Sequence, residues 1–451
     1  MSVLLLIPGC ISLFLVLRGR IETAFLSVYL PSLLLIPQDY DLRLPHLPSF
    51  SAADYALMPI GVVALSRYIR GRSLRLMDVL VFLFGVSYCA SEILGEPIMN
   101  DGILNAAAFF VSPLLPYLVG RQLIEPELRF ETVRRWVIFV LLLAPIGLYE
   151  WRFGVKAFGV LAQKLNISSM SPTVALRNGR GRLSVSLGGG ELTGIAFAVT
   201  FALNVWLVFL NKARTGIDLG KWLARLEKYH APELIFLLCL YLTQSRGPMI
   251  ALAAGYLIIQ IAKFKKTKLA TGLVAILLIM GALGAKRYFD QYTAGEVNYD
   301  NEQRASAQYR RQMNIVYQSV AEMGGWFGWA SAVPVLGDQK SIDNHFLLVH
   351  LTQGEFGYIL LILIVTESVR SGVARVWSLR ALEDRTFACV MLAIFAIFWI
   401  SYYTVFMGGQ LPQITFLLLG WGQSLVPGKT GTVPVVAVQS QSRFGFRRVL
   451  T

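Results

Sequence analysis

Charge is scarce in this chain. Asp, Glu, Lys and Arg make up 15% of it, against about 25% in soluble domains, so no large hydrated surface is encoded. Acid is scarcer than base, with 27 Asp and Glu against 41 Lys and Arg and a formal net charge of +14. Cysteine and histidine are rarer still, at 4 each. Cys10, Cys89, Cys239 and Cys389 all fall inside apolar runs, and no paired-cysteine spacing offers a disulfide framework or a structural zinc site. They read as packing residues. No metal and no other cofactor is expected.

What the chain has instead is apolar length. It is 55% hydrophobic with a mean hydropathy of +0.58, and runs such as 192–211, 271–285 and 386–428 are long enough to cross a bilayer. The pattern predicts an all-α polytopic membrane protein, a single integral membrane domain over 1–451 with about 12–13 transmembrane helices. The expected spans are roughly 2–17, 21–37, 54–68, 77–93, 102–120, 135–151, 191–211, 231–246, 247–262, 268–285, 344–366, 386–407 and 411–427. Residues 1–17 resemble a signal peptide, but Arg18 and Arg20 follow the apolar run instead of preceding it. An uncleaved first span fits better.

Lysine and arginine sort the links between spans into two alternating sets. One holds most of the 41 basic residues, including Arg67, Arg70, Arg72 and Arg75 in one link and Lys263, Lys265, Lys266 and Lys268 in another. The positive-inside rule assigns this set to the cytoplasm, and that accounts for the net charge without a nucleic-acid partner. The other set includes two long links, 152–190 and a large loop at 286–343, both expected to face outward. The large loop carries an amphipathic helix, with Tyr309, Met313, Val316, Tyr317 and Val320 on one face. That pattern suits a helix lying on the membrane surface, stopped at Gly324-Gly325.

Three stretches meet on the outward side of this topology. Arg180-Gly181-Arg182 precedes Gly188-Gly189-Gly190-Glu191 at the mouth of one span; the glycines alone are adequately explained as a flexible loop end. Thr243-Gln244-Ser245-Arg246-Gly247-Pro248 joins two apolar runs. An arginine at that depth is costly unless it pairs, and its planar fork suits phosphate, although a snorkelling helix cap is the plainer alternative. Asp343-Asn344-His345 opens the next apolar helix. Asp343 reads either as the helix N-cap or, with His345, as a general base near the membrane surface.

The Thr-x-Ser-Arg-Gly turn, the loop helix with its Gly-Trp-Phe-Gly segment, and the Asn344, Phe346, Leu347, Gly354, Gly357 pattern resemble the bacterial O-antigen ligase and polymerase superfamily of membrane glycosyltransferases. The resemblance covers roughly 175–425. It implies a GT-C-like fold in the bacterial cytoplasmic (inner) membrane with a periplasmic active site. It also implies metal-independent transfer of a glycan from an undecaprenyl-diphosphate carrier to a glycan or lipid-linked acceptor, with polysaccharide chain-length or export proteins as further partners. By position it makes Arg182, Arg246 and Arg310 diphosphate ligands, with Arg311 a substitute for Arg310 and Asn344 part of the substrate site. Ligases usually carry histidine where this chain has Asp343, which favours a polymerase of O-antigen or exopolysaccharide over a ligase acting on lipid A-core.

Two other readings compete. Asp39-Tyr40-Asp41 is a D-x-D in the first outer link, an acidic pair of the kind that binds a metal or serves as base, or else simply a turn. A flippase or transporter for lipid-linked sugars predicts central charges and an internal repeat. The spans show few such charges and no convincing repeat.

Overall fold

The computed structural model describes residues 2–42, 48–71, 74–95, 99–168, 170–177, 179–213, 230–295, 302–336 and 341–425. Its helices are α1 (Ile7–Leu17), α2 (Ile21–Leu35), α3 (Ala52–Gly71), α4 (Leu76–Gly95), α5 (Gly102–Leu123), α6 (Pro126–Phe153), α7 (Ala157–Leu165) and α8 (Gly190–Ala213). They continue as α9 (Ala231–Leu242), α10 (Arg246–Gln260), α11 (Thr267–Tyr292), α12 (Glu302–Met323), α13 (His345–Ser378), α14 (Leu382–Tyr402) and α15 (Leu411–Ser424). Two short antiparallel hairpins accompany them: β1 (Asp41–Leu42) with β2 (Phe50–Ser51), and β3 (Leu176–Arg177) with β4 (Arg180–Gly181).

Each expected span is a helix, and the chain is an all-α polytopic membrane protein. Among the described residues 7 helices are long and apolar enough to cross a bilayer: α4, α5, α6, α8, α11, α13 and α14. The difference from the larger expected number is one of length, except for α3, which has 20 residues but is not apolar enough. A helix rises about 1.5 Å per residue, so α10 with 15 residues and α15 with 14 fall short of a roughly 30 Å core. The polar loop also begins later than expected, because α11 runs through Lys286 and Arg287 to Tyr292. Bulky buried side chains pack between the helices, the Phe387 ring lying 4.8 Å from Trp206 and 5.2 Å from Trp421.

The two sets of links lie at opposite ends of the bundle. At one end Arg129 meets Asp384 at 3.0 Å, Arg121 meets Asp78 at 3.4 Å, Arg75 reaches Gln423 O and Arg375 donates to Leu425 O. These contacts join the links that are rich in lysine and arginine. At the other end Gln410 Nε2 donates to Ile36 O and Ser186 O, Leu183 N to Leu242 O, and Met407 N to His345 Nδ1.

The amphipathic helix α12 does not use its apolar face as expected. Met313 and Tyr317 are 1% and 2% exposed, packed with Val320 and Ala321 against Leu347 and Leu351 of α13. Those positions are covered by protein, not by the bilayer surface, while Val316 of the same stripe is 40% exposed. An apolar stripe has the same sequence signature for either partner.

α13 is broken at Gly354, whose φ of 66° and ψ of −164° are open only to glycine. A break inside an apolar helix exposes carbonyls on one side and N–H groups on the other. The segment after α12 satisfies both. Trp329 N and Ala330 N donate to Leu351 O and Thr352 O at 2.8 and 2.9 Å, while Gly325 O and Trp326 O accept from Glu355 N and Phe356 N at 3.0 and 3.2 Å. The Gly-Trp-Phe-Gly segment therefore works through its backbone. A Cβ on Gly354 would collide with Gly325 O.

Candidate functional site

The site begins with a hairpin and a turn that hold each other. In the β3–β4 hairpin Arg177 pairs with Arg180 and Leu176 with Gly181. Behind it, Glu150 on α6 accepts from Ser184 N at 3.1 Å and Val185 N at 2.8 Å. In front lies the turn between α9 and α10, with Gln244 in the left-handed region at φ 53°. Arg182 Nε donates to Thr243 O at 3.1 Å, Arg177 Nη1 to Gln244 O at 3.0 Å and Gln244 Nε2 to Gly181 O at 3.4 Å. Gly190 makes this approach possible, since a Cβ there would come within 3.1 Å of Arg182 Nε.

Arg246 opens α10 and is exposed, with Nη2 donating to Gln303 Oε1 at the start of α12. Two turns further along α12, Arg310 Nη2 lies 3.5 Å from Asp343 Oδ2. Burial pushes the Arg177 guanidinium below its ordinary pKa, and the neighbouring Arg182, Arg310 and Arg246 charges push the same way against Glu191. The four guanidiniums thus share one electrostatic neighbourhood. Arg182 has Glu191 at 2.6 Å and Arg310 has Asp343, whereas Arg177 and Arg246 are bonded to uncharged oxygens. The cluster carries surplus positive charge and suits a multiply charged anion.

A cavity of about 590 Å³ opens beside it, walled by Asp39, Gly188, Gly189, Glu191, Asp343 and Thr404 among others. A smaller apolar one of about 300 Å³, bounded by Tyr317, Pro334 and Leu348, shares Ser341 and Phe406 with it.

Asn344, not Asp343, caps α13: its side-chain oxygen accepts from Phe346 N at 3.1 Å and Leu347 N at 3.4 Å. Its amide donates to Asn314 Oδ1 at 3.3 Å. Asp343 is therefore released from capping and stands in the cavity wall, its Oδ1 accepting from Ser341 Oγ at 2.9 Å. The N-cap expectation for Asp343 is corrected on this point, because its one-residue offset puts the carboxylate beyond the first turn. His345 turns aside, its Nδ1 accepting from Met407 N at 3.3 Å and its ring 5.5 Å from Tyr402. Arg311 also points elsewhere, donating to Thr293 Oγ1 at 3.3 Å.

The structure thus brings Arg182, Arg246, Arg310 and Asp343 together and leaves His345 and Arg311 outside the group. It adds Arg177, which the sequence shows only as one more basic residue in a long link. It adds Glu150 too, whose signal was an acid closing an otherwise apolar run. Asp39, of the D-x-D, reaches the same cavity, and no group of carboxylate, histidine and cysteine side chains able to hold a metal occurs among the described residues. No protein-family model matches this chain, and no curated protein matches it.

Proposed function

We propose that this protein is a membrane glycosyltransferase that takes a glycan from undecaprenyl diphosphate and adds it to a sugar hydroxyl. The acceptor on this reading is another O-antigen or exopolysaccharide unit. The reading is carried by the grouping of Arg177 and Arg182 on the 243–244 turn, Arg246 beside it and Arg310 on Asp343, next to a cavity lined by Glu191 and Asp343. Its setting is the periplasmic side of the bacterial cytoplasmic membrane, opposite the end crowded with lysine and arginine.

The chemistry follows from the charges. A sugar-linked diphosphate leaves readily once its oxygens are neutralised, and the arginines supply that neutralisation. The acceptor oxygen forms a bond to the anomeric carbon as the carbon–phosphate-oxygen bond breaks, and the electron pair stays on the diphosphate. Asp343 takes the hydroxyl proton. Attack opposite the leaving group inverts the anomeric centre. Diphosphate bound by Arg310 also draws that guanidinium away from Asp343, so donor binding frees the base.

One observation favours a transporter instead: a broken helix, the device by which many carriers bind their cargo. Here the freed backbone groups of α13 are bonded to residues 325–330, which leaves less for a cargo to bind. The deciding experiment gives the purified protein in nanodiscs an undecaprenyl-diphosphate glycan and follows product by gel. Growth of the glycan is expected; translocation in vesicles without any transfer would sink the enzyme.

A further inference from the structure

Among the candidate spans α11 stands apart. Its most apolar stretch is 6% buried, where the others range from 39% to 83%. At one end it is tied down: Ala270 is buried, Thr271 Oγ1 accepts from Trp377 Nε1 at 3.2 Å and Lys268 lies over the same ring at 5.8 Å. At the other end Arg304 donates to Tyr292 O and Ala294 O, at 3.1 and 2.7 Å, and Arg311 to Thr293 Oγ1.

Between these ties the helix leaves the bundle. Thr271, Val274 and Leu278 form one stripe and are half-buried. That stripe continues, at helical spacing, through Gly281, Ala282 and Ala285, and all three are exposed. A Cβ on Gly281 or Gly284 would meet nothing within 4 Å. Above Leu278 the side turned to the bundle is therefore as open as the outward side, where Ile276, Ile279, Met280 and Leu283 are exposed. The opening runs to Tyr292, about 21 Å at 1.5 Å per residue. Its rim is basic. Lys286 and Arg287 stand on the last turns of α11 with Asp290 as the acid among them, followed by Arg304 and by the Arg246–Gln303 bond.

An apolar slot under a basic rim is complementary to a hydrocarbon chain with an anionic head. We infer that the polyprenyl chain of the donor lies between α11 and the bundle above Leu278, delivering its diphosphate to Arg246. This rests on the glycosyltransferase reading above.

Photoreactive p-benzoylphenylalanine at Ala282 or Ala285 tests it, with Phe82, an exposed position on α4, as the bilayer control. The protein is held in phosphatidylethanolamine–phosphatidylglycerol nanodiscs containing undecaprenyl diphosphate, and binding is followed in parallel by native mass spectrometry. Cross-linking to undecaprenyl diphosphate is expected severalfold above the Phe82 position, and to fall to that level with Arg246→Ala. Binding with equal cross-linking at all positions would overturn the slot and leave the enzyme reading standing. Cross-links to a second copy of the chain would also overturn the slot. Absence of binding would overturn both.

Discussion

Arg310 and Asp343 face each other across the seam between α12 and α13, Nη2 to Oδ2 at 3.5 Å. The packing of Met313 and Tyr317 on Leu347 and Leu351 fixes both helices at that point. Because Asn344 caps α13, Asp343→Asn should leave the fold and the thermal midpoint unchanged. Glycan transfer should fall by about 10²–10⁴-fold, the usual worth of a general base. Transfer rate and melting temperature measured together check this, and retained activity removes Asp343 as the base. His345→Ala is the companion variant. Loss of activity there alone, in stably folded protein, would move the proton transfer to His345.

Arg246 offers a planar fork to its ligand. Lysine is a point charge and does not reproduce a contact through two parallel N–H groups. Arg246→Lys should therefore lose nearly as much as Arg246→Ala, about 2–4 kcal/mol of transition-state stabilisation. Arg311→Ala, which removes a bond to Thr293 instead, should leave the diphosphate affinity within twofold or so of the parent. Comparable losses at 246 and 311, read by titration with undecaprenyl diphosphate, would dissolve the cluster as a binding site.

Glu150 is buried and accepts two backbone N–H groups of the link that carries Arg177 and Arg182. Glu150→Ala strands those donors, at about 1–3 kcal/mol. Glu150→Gln keeps an acceptor oxygen and should recover most of the stability. A glutamine variant as unstable as the alanine one in a thermal melt would show that the charge, not the acceptor, matters there.

Gly354→Ala and Gly281→Ala separate two kinds of glycine. The first forces a side chain into a conformation costing about 1–3 kcal/mol, before its collision with Gly325 O is counted. The second adds a methyl to open helix and should stabilise by about 1 kcal/mol. Equal melting temperatures for the pair would argue against the break.

Single cysteines at Ser171 and Ser341, both exposed, should react with an impermeant thiol reagent in spheroplasts, whereas one at Lys265 should react only after lysis. The exposed native Cys10 is first replaced by serine. Reaction at Lys265 alone would reverse the orientation.

Much of this architecture was legible in the sequence, for definite reasons. Apolar run length alone marks where a helix lies, so every expected span is one. Clustered lysine and arginine divide the links into the same two groups that the contacts at the ends of the bundle reveal. What a local pattern does not carry is the identity of a distant partner. The stripe on α12 reads alike against lipid or α13. Asp343 and Asn344 are equally good caps, and only the chain geometry chooses between them. Gly354 looks like any glycine in a helical run until residues 325–330 arrive to fill the break. Arg177 gains its place from Gln244, 67 positions away.

The docking of residues 325–330 into α13 runs through main-chain atoms, while Trp326 is 65% exposed. Relatives of this protein should therefore tolerate many residues at 326 and 327, yet no insertion or deletion between 324 and 330. The register of four backbone bonds depends on the length of that segment and hardly at all on what it spells. A scan of single-residue insertions against single substitutions would show this as a narrow band of intolerance to length, set in a stretch permissive of composition.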